Sequence, residues 1–409
     1  MTKKFYELSD NQRIDELVKL DYLDSTDKEL LQHQDVDKIK ALSENTIGIT
    51  SLPMSVVYPI IVNGKKYVVP MATEEPSVVA AASNGAQRAN KNGGFVASIT
   101  EKLVVGQIVW EVNDVEKLER ELLMYTDELA DFVQEARPSL INRGGGLDAF
   151  QINTYDRFVE LLIYIDTVDA MGANIVNSIC EYVANKLDQK INMTHLIAVL
   201  SNDGSEQIVN VTTKIKLEDL ATKNIQGETV AKKIAALSDF TQQSLFRDST
   251  NNKGILNGVF AALIATGNDT RAVSAAVTSF NNASLSKWHI ENNQLVGELE
   301  IPMPIGTVGG AISSLDSSQV ALKLLNVESA KELAQVVASI GLANNLSAMR
   351  ALVTSGIQSG HMNLQSKSLA ISAGAQNDEI ELIAKKLNKL KKYDLATAKN
   401  MLNEIRGKN

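Results

Sequence analysis

Apolar positions recur at two periods along the chain, and the changes of period mark its elements. Residues 8–42 read as two short helices, because Ser9 with Gln12 and Thr26 with Glu29 have capping-box spacing and apolar residues follow at helical intervals. Residues 60–69 ("IIVNGKKYVV") are the clearest hairpin, since Asn63 and Gly64 can supply the two positive φ values of a type I′ turn. Pro76 suits a first helical position, and Gly93-Gly94 ends that helix. An alternating strand over 103–112 leads into a charged amphipathic helix over 114–136, with Val115, Leu118, Leu122, Leu129, Phe132 and Val133 on its apolar side. Pro138 stops it, and "RGGG" (143–146) turns the chain into strands that run to about Asp166. A loop then enters a helix, and strands near 195–200 and 207–216 complete an α+β unit of roughly 105–215.

Beyond residue 226 the pattern is mostly helical and rich in small residues, interrupted by one hairpin at 287–302. Within it, "NNKGILNGVFAALIATGND" (251–269) holds one charge before its last residue, Lys253, ahead of an uncharged run that ends at Asp269. Such a run predicts a buried helix about 20 Å long at 1.5 Å per residue, with the two charges at its ends. After about 357 the chain turns polar and lysine-rich with a narrow apolar stripe, as expected of a mobile appendage.

The fold class that follows is α+β: a large, mostly helical body (1–104 and 216–356), an inserted smaller α+β domain (105–215) and a C-terminal helical flap (357–409). A chain of 409 residues is too long for one core, which agrees with two domains. The net charge of −9 argues against a general nucleic-acid binder, which needs a basic face. Cys180 is the only cysteine, so an intrachain disulfide or a thiolate zinc site is excluded, and a reducing cytoplasm fits best. Lys3 and Lys4 have no apolar segment behind them, and no window approaches the roughly 18 uninterrupted apolar residues of a spanning helix; neither a secretory signal nor a membrane is expected.

Candidate chemistry is sparse. Lys253 can be read as a lysine that snorkels to solvent, or as a cation beside Gly254 and Asn257 where a ligand can approach. Glu75, just before Pro76, can be a capping carboxylate or a proton donor; a donor needs burial or a like-charged neighbour such as Asp269 to raise its pKa. Of four histidines, His361 in "QSGHMNL" is the one placed beside the tail's boundary, as a cap or as an acid. "GGGLDA" (144–149) fits a loose dinucleotide pattern but lacks the strand before it and the helix after it. "DAMGAN" (169–174) follows a strand and opens a helix whose amides could receive a pyrophosphate.

Seven segments together are more specific than any one. "ENTIG" (44–48), "EEPSVVAAAS" (74–83), "DAMGAN", "NKGILNG" (252–258), "ATGND" (265–269), "GTVGGA" (306–311) and "GHM" (360–362) occur in the order seen in hydroxymethylglutaryl-CoA reductase. The Glu-Glu-Pro-Ser form resembles the class II, bacterial branch, and the resemblance spans nearly the whole chain. It implies reduction of 3-hydroxy-3-methylglutaryl-CoA to mevalonate and CoA by two hydrides, with Glu75 as acid and base, Lys253 stabilising the oxyanion, Asp269 coupling the two, and His361 protonating the CoA thiolate. It also implies that Ser77, Arg247 and Asn257 hold substrate, that Asp169, Met171, Gly172 and Asn174 form a non-Rossmann nicotinamide-nucleotide site, and that the tail closes over a site shared between the subunits of a homodimer or a higher oligomer. No metal is implied.

Family members that use the unphosphorylated cofactor carry an acid seven places before the Gly-Gly-Gly turn, where this chain has Arg137. An arginine attracts a 2′-phosphate, so NADPH is expected in preference to NADH. Two other readings compete: oxidation of mevalonate with NAD, which Arg137 opposes, and a non-catalytic CoA-thioester-binding protein. Asn251 stands where histidine is usual, Asn84 where an aromatic is frequent, and "AISSLDS" where a lysine-containing segment often follows Gly-Gly.

Overall fold

The computed structural model describes residues 5–33, 35–280, 284–354, 356 and 366–407. The strands are β1 (Met54–Val62), β2 (Lys65–Ala72), β3 (Phe95–Ile99), β4 (Leu103–Glu111), β5 (Gly146–Thr154), β6 (Phe158–Asp166), β7 (Ile197–Leu200), β8 (Ile208–Lys216), β9 (Ser286–Glu291) and β10 (Gln294–Pro302). They form two sheets, a six-stranded one ordered β2-β1-β3-β8-β10-β9 and a four-stranded one ordered β5-β6-β4-β7. The β1/β2 hairpin turns at Asn63 and Gly64 with φ of 50° and 79°, as the sequence pattern requires.

The larger sheet is covered by helices Pro76–Asn90, Gly227–Gln243, Leu245–Ala265 and Ala330–Val353. Their small residues permit close approach. Gly85 lies so near the Ala330–Val353 helix that a Cβ on it would stand 1.9 Å from the Ala343 carbonyl oxygen. Ala330–Val353 is apolar and long enough to cross a membrane, yet 67% of that apolar window is buried inside the protein, which makes it a central core helix. The smaller sheet packs its buried face, with Ile108, Trp110, Ile163 and Ile165, against helix Ala173–Ile191. Cys180 is fully buried there, and burial pushes its thiol up to about 12.

Several expectations are revised by the packing. The strand near 207–216 does not belong with the inserted unit; as β8 it pairs with β3 and β10 in the large sheet, and the smaller core ends at Leu200. The large body is therefore sheet-backed. The 114–136 helix breaks into Val115–Leu123 and Leu129–Ala136 around a short 3-10 turn, while its apolar side stays inward. In the N-terminal arm Ser9 and Gln12 form the expected capping box, but the second helix is capped by Asp24 with Asp27 instead of Thr26 with Glu29. A carboxylate accepts both first-turn amides at once, and Lys323 binds Asp24 at 2.7 Å, tying the arm to helix Asp316–Leu325. The tail forms a small core of its own from Ala370, Ile383, Leu387, Ala398 and Leu402.

Candidate active site

Lys253 lies on helix Leu245–Ala265, which Ser244 caps by accepting the Arg247 amide at 3.3 Å. The helix begins eight residues ahead of Lys253, so the lysine is not at its head as the charge pattern suggested. Lys253 is exposed, and it has no hydrogen bond or ion pair among the described residues. Gly254 opens on empty space, and Asn257 follows one turn later on the same stripe. Arg247, on the first turns, has a buried Nε with no partner among the described residues. A buried cationic donor left without an acceptor suits an incoming carboxylate.

The uncharged run buries one face, with Ile255, Gly258, Val259, Ala261, Ala262, Leu263 and Ala265, while Ile264 is exposed, and that face holds the lysine's helix in place. Asn251 belongs to this support. It is 3% exposed, donates to Ser284 Oγ at 3.2 Å and Ser286 Oγ at 3.1 Å, and accepts from Asn345 Nδ2 at 2.7 Å. Asn345 Oδ1 in turn accepts from Trp288 Nε1 at 2.6 Å. The position where histidine is usual thus faces the core in this chain.

Asp269 sits past the turn that ends the helix and caps Thr270–Ser279. Its carboxylate takes a two-pronged bond from Arg271, Nε at 3.0 Å and Nη2 at 2.7 Å, and accepts the Arg271 and Ala272 amides. The Arg271 guanidinium holds the Asp269 carboxyl below its ordinary range. No described contact joins Asp269 to Lys253 or to Glu75, and the described partner of the Asp269 carboxylate is the Arg271 guanidinium. Arg271 was missed in the sequence, although its i+2 spacing from an N-cap aspartate is the available signal. Beside it, Phe260, Thr270, Arg271, Ser274 and Thr278 line an open groove of 710 Å³.

Glu75 is the N-cap of Pro76–Asn90, half-buried, with Oε1 accepting the Ser77 amide at 3.1 Å. That is the capping geometry, and it also aims Ser77 and the carboxylate to the same end of the helix. A cleft of 390 Å³ there is lined by Glu74, Glu75, Pro76 and, from the tail, Ser368, Leu369, Ser372 and Leu395. The tail therefore borders the acid. His361 lies outside the described residues.

The 169–174 loop leaves β6 and enters helix Ala173–Ile191 through Gly172, whose φ of 104° favours glycine. Gly172 offers no side-chain cap, so first-turn amides remain for an anionic ligand. Arg137 meets this helix from outside, donating from Nη2 to Ser178 Oγ, and its Nε is buried without a partner among the described residues. Asp169, in the same loop, is bonded to the large body. Its Oδ1 accepts the Ala330 amide at 2.8 Å and its carbonyl accepts from Thr307 N at 2.8 Å, so it fastens the loop to the large body. "GTVGGA" is explained here too, as Gly306 packs against the backbone of Met171 and Val308 bridges Ala170.

A family model described as hydroxymethylglutaryl-coenzyme A reductase matches residues 11–366. The 3-hydroxy-3-methylglutaryl-coenzyme A reductase of Archaeoglobus fulgidus is 36% identical over 98% of this chain and 94% of its own. A solved 3-hydroxy-3-methylglutaryl-coenzyme A reductase from Streptococcus pneumoniae superposes with a TM-score of 0.81 at 36% identity, covering 98% of this chain and 99% of that one. A further structure of the class II enzyme from that organism, described as bound to NADPH in open conformations, has the same TM-score and identity and covers 86% of this chain.

Proposed function

The chain belongs to the hydroxymethylglutaryl-CoA reductase family, and from that premise we propose how its own residues reduce 3-hydroxy-3-methylglutaryl-CoA to mevalonate. It is an oxidoreductase, and the cofactor is NADPH. The overall reaction consumes two NADPH and two protons and releases CoA. NADPH supplies the two hydrides; the protein supplies position, charge and protons.

Each hydride arriving at a carbonyl leaves an oxyanion. Lys253 stabilises it, as a fixed donor is worth about 3 kcal/mol where bulk water is excluded. Glu75 gives and takes the proton on that oxygen from the N-terminus of its helix. Arg247, whose Nε has no partner among the described residues, holds the substrate carboxylate, and Ser77 and Asn257 contribute neutral hydrogen bonds. His361 protonates the departing thiolate so that it does not add back to the aldehyde. Asp269 stays ionised through Arg271 and steadies the lysine's charge.

The single chain leaves Lys253 exposed and apart from Asp269's described contacts, which supports a site completed by a second subunit. The bare apolar segment 47–52, where Ile47 is fully exposed and Ile49 and Leu52 are exposed too, supports the same homodimer. The nucleotide lies on the smaller, four-stranded body, against Met171, Gly172 and Asn174, and the protein works in the cytoplasm.

Arg137 is the observation that carries the choice of cofactor, because its guanidinium lies beside the nucleotide helix with a donor to spare. Arg137→Asp is expected to weaken NADPH relative to NADH by about 10- to 100-fold, the worth of a charge-assisted bond to phosphate. Kd values for both nucleotides, read from reduced-nicotinamide fluorescence, check it; an unchanged ratio rejects the assignment. The reaction itself is tested by loss of reduced-nicotinamide absorbance on adding the CoA thioester. An absence of mevalonate among the products refutes the proposal.

A further inference from the structure

Lys102 is 2% exposed, and nothing in the reaction described above uses it. It stands between β3 and β4, at the point where the chain passes from the large sheet to the small one. Its ammonium points beneath the nucleotide loop, donating to the Ala170 carbonyl at 2.6 Å and to Thr167 Oγ1 at 3.2 Å. Thr167 Oγ1 also donates to that carbonyl, at 2.8 Å. The same loop is gripped from its other side by Ala330 N and Thr307 N on Asp169.

We infer that Lys102 is a positioning residue for the cofactor: it pins segment 167–171 at the joint between the two bodies and so sets where Met171, Gly172 and Asn174 meet the nucleotide. The charged groups that face it are Asp166 at the end of β6, Asp169 in the loop and Lys331 on the helix of the large body. Burial outweighs the two carboxylates and brings the lysine down to about 8. Between that value and the ordinary one near 10.5 the unfolded chain binds more protons than the folded one, so stability rises with pH across this window. At neutral pH the fold therefore carries a buried charge at a cost in stability, which is the opposite of what a purely structural pin would do. An apolar residue would fill the space without that cost, but would leave the Ala170 carbonyl without its cation and the loop free to shift.

The inference rests on the reading of 169–174 as the nucleotide loop, and the test separates the two. In the full-length protein, Lys102→Met is expected to raise the NADPH Kd, read from nicotinamide fluorescence, by roughly tenfold or more, since two bonds to a charged donor are lost. The CoA Kd, read by calorimetry, should stay within about twofold, and Lys102→Arg should recover most of the NADPH affinity. Thr167→Val, which removes one acceptor and keeps the shape, should show the same selectivity at smaller size and serves if Lys102→Met does not fold. An unchanged NADPH Kd in both variants, or equal losses for NADPH and CoA, overturns the role of Lys102. If Asn174→Ala leaves the NADPH Kd unchanged, the loop reading itself falls.

Discussion

Lys253→Ala is expected to lower kcat by roughly 10²- to 10³-fold while leaving the Kd for the CoA thioester within a few-fold. The loss follows from what the ammonium does: it meets a charge that exists only after hydride has moved, so its removal is felt in the transition state far more than in the bound substrate. Retention of structure is expected, because the side chain is exposed and bonded to nothing described, while its helix is held by the buried face from Ile255 to Ala265 and by Asn251. A second measurement asks which subunit supplies which group. If the acid and the lysine of one site come from different protomers, co-refolding Lys253→Ala with Glu75→Gln should recover up to about a quarter of wild-type activity, since half the dimers are mixed and each has one intact site. Recovery of nothing means that both groups serve the same site from one chain, and a fully active Lys253→Ala removes the mechanism.

Gly85→Val is expected to prevent the large body from packing, with a destabilisation of at least about 3 kcal/mol, beyond ordinary overpacking because the obstacle is backbone. A Cβ at Gly85 would lie 1.9 Å from Ala343 O, 2.6 Å from its carbonyl carbon and 2.9 Å from its Cα, and no rotamer change relieves that. The two helices must separate, and with them goes the platform that aims Glu75 and Ser77. The control is Gly254→Ala, where the added methyl meets nothing and helix propensity should raise stability by about 0.5–1 kcal/mol. Denaturant midpoints of the two variants, followed by far-ultraviolet circular dichroism, check both signs.

What the sequence made legible was local. The turn at Asn63-Gly64, the Ser9–Gln12 box, the first-position Pro76 and the apolar side of 114–136 each depend on residues close in the chain, and each has the expected geometry. β8 was misplaced because alternation reports that a strand has two faces, not which sheet it joins; its partners β3 and β10 are more than fifty residues away on either side. The candidate site follows the same division. Glu75 as a cap and 169–174 as the opening of a helix were readable, whereas Asp169's bond to Ala330 spans 161 residues and Lys102's bond to Ala170 spans 68. The Arg271 pair was close enough to read, but an aspartate that caps a helix and accepts an arginine looks, in letters, like any charged turn. Asn251 shows the converse: a departure from the usual residue sits in a core network that no local pattern announces.

The burial of Cys180 has a practical consequence. A thiol that is shut in the smaller core and titrates near 12 offers no thiolate to maleimides or to oxidants at physiological pH. The chain therefore comes with a silent background for site-specific dyes. One cysteine installed at exposed Leu390 on the tail and another at exposed Leu123 on the smaller body give a donor and acceptor pair without first stripping native sulfur. Energy transfer between them tests whether the tail closes during turnover: an efficiency that does not change on adding both ligands rejects a closing flap.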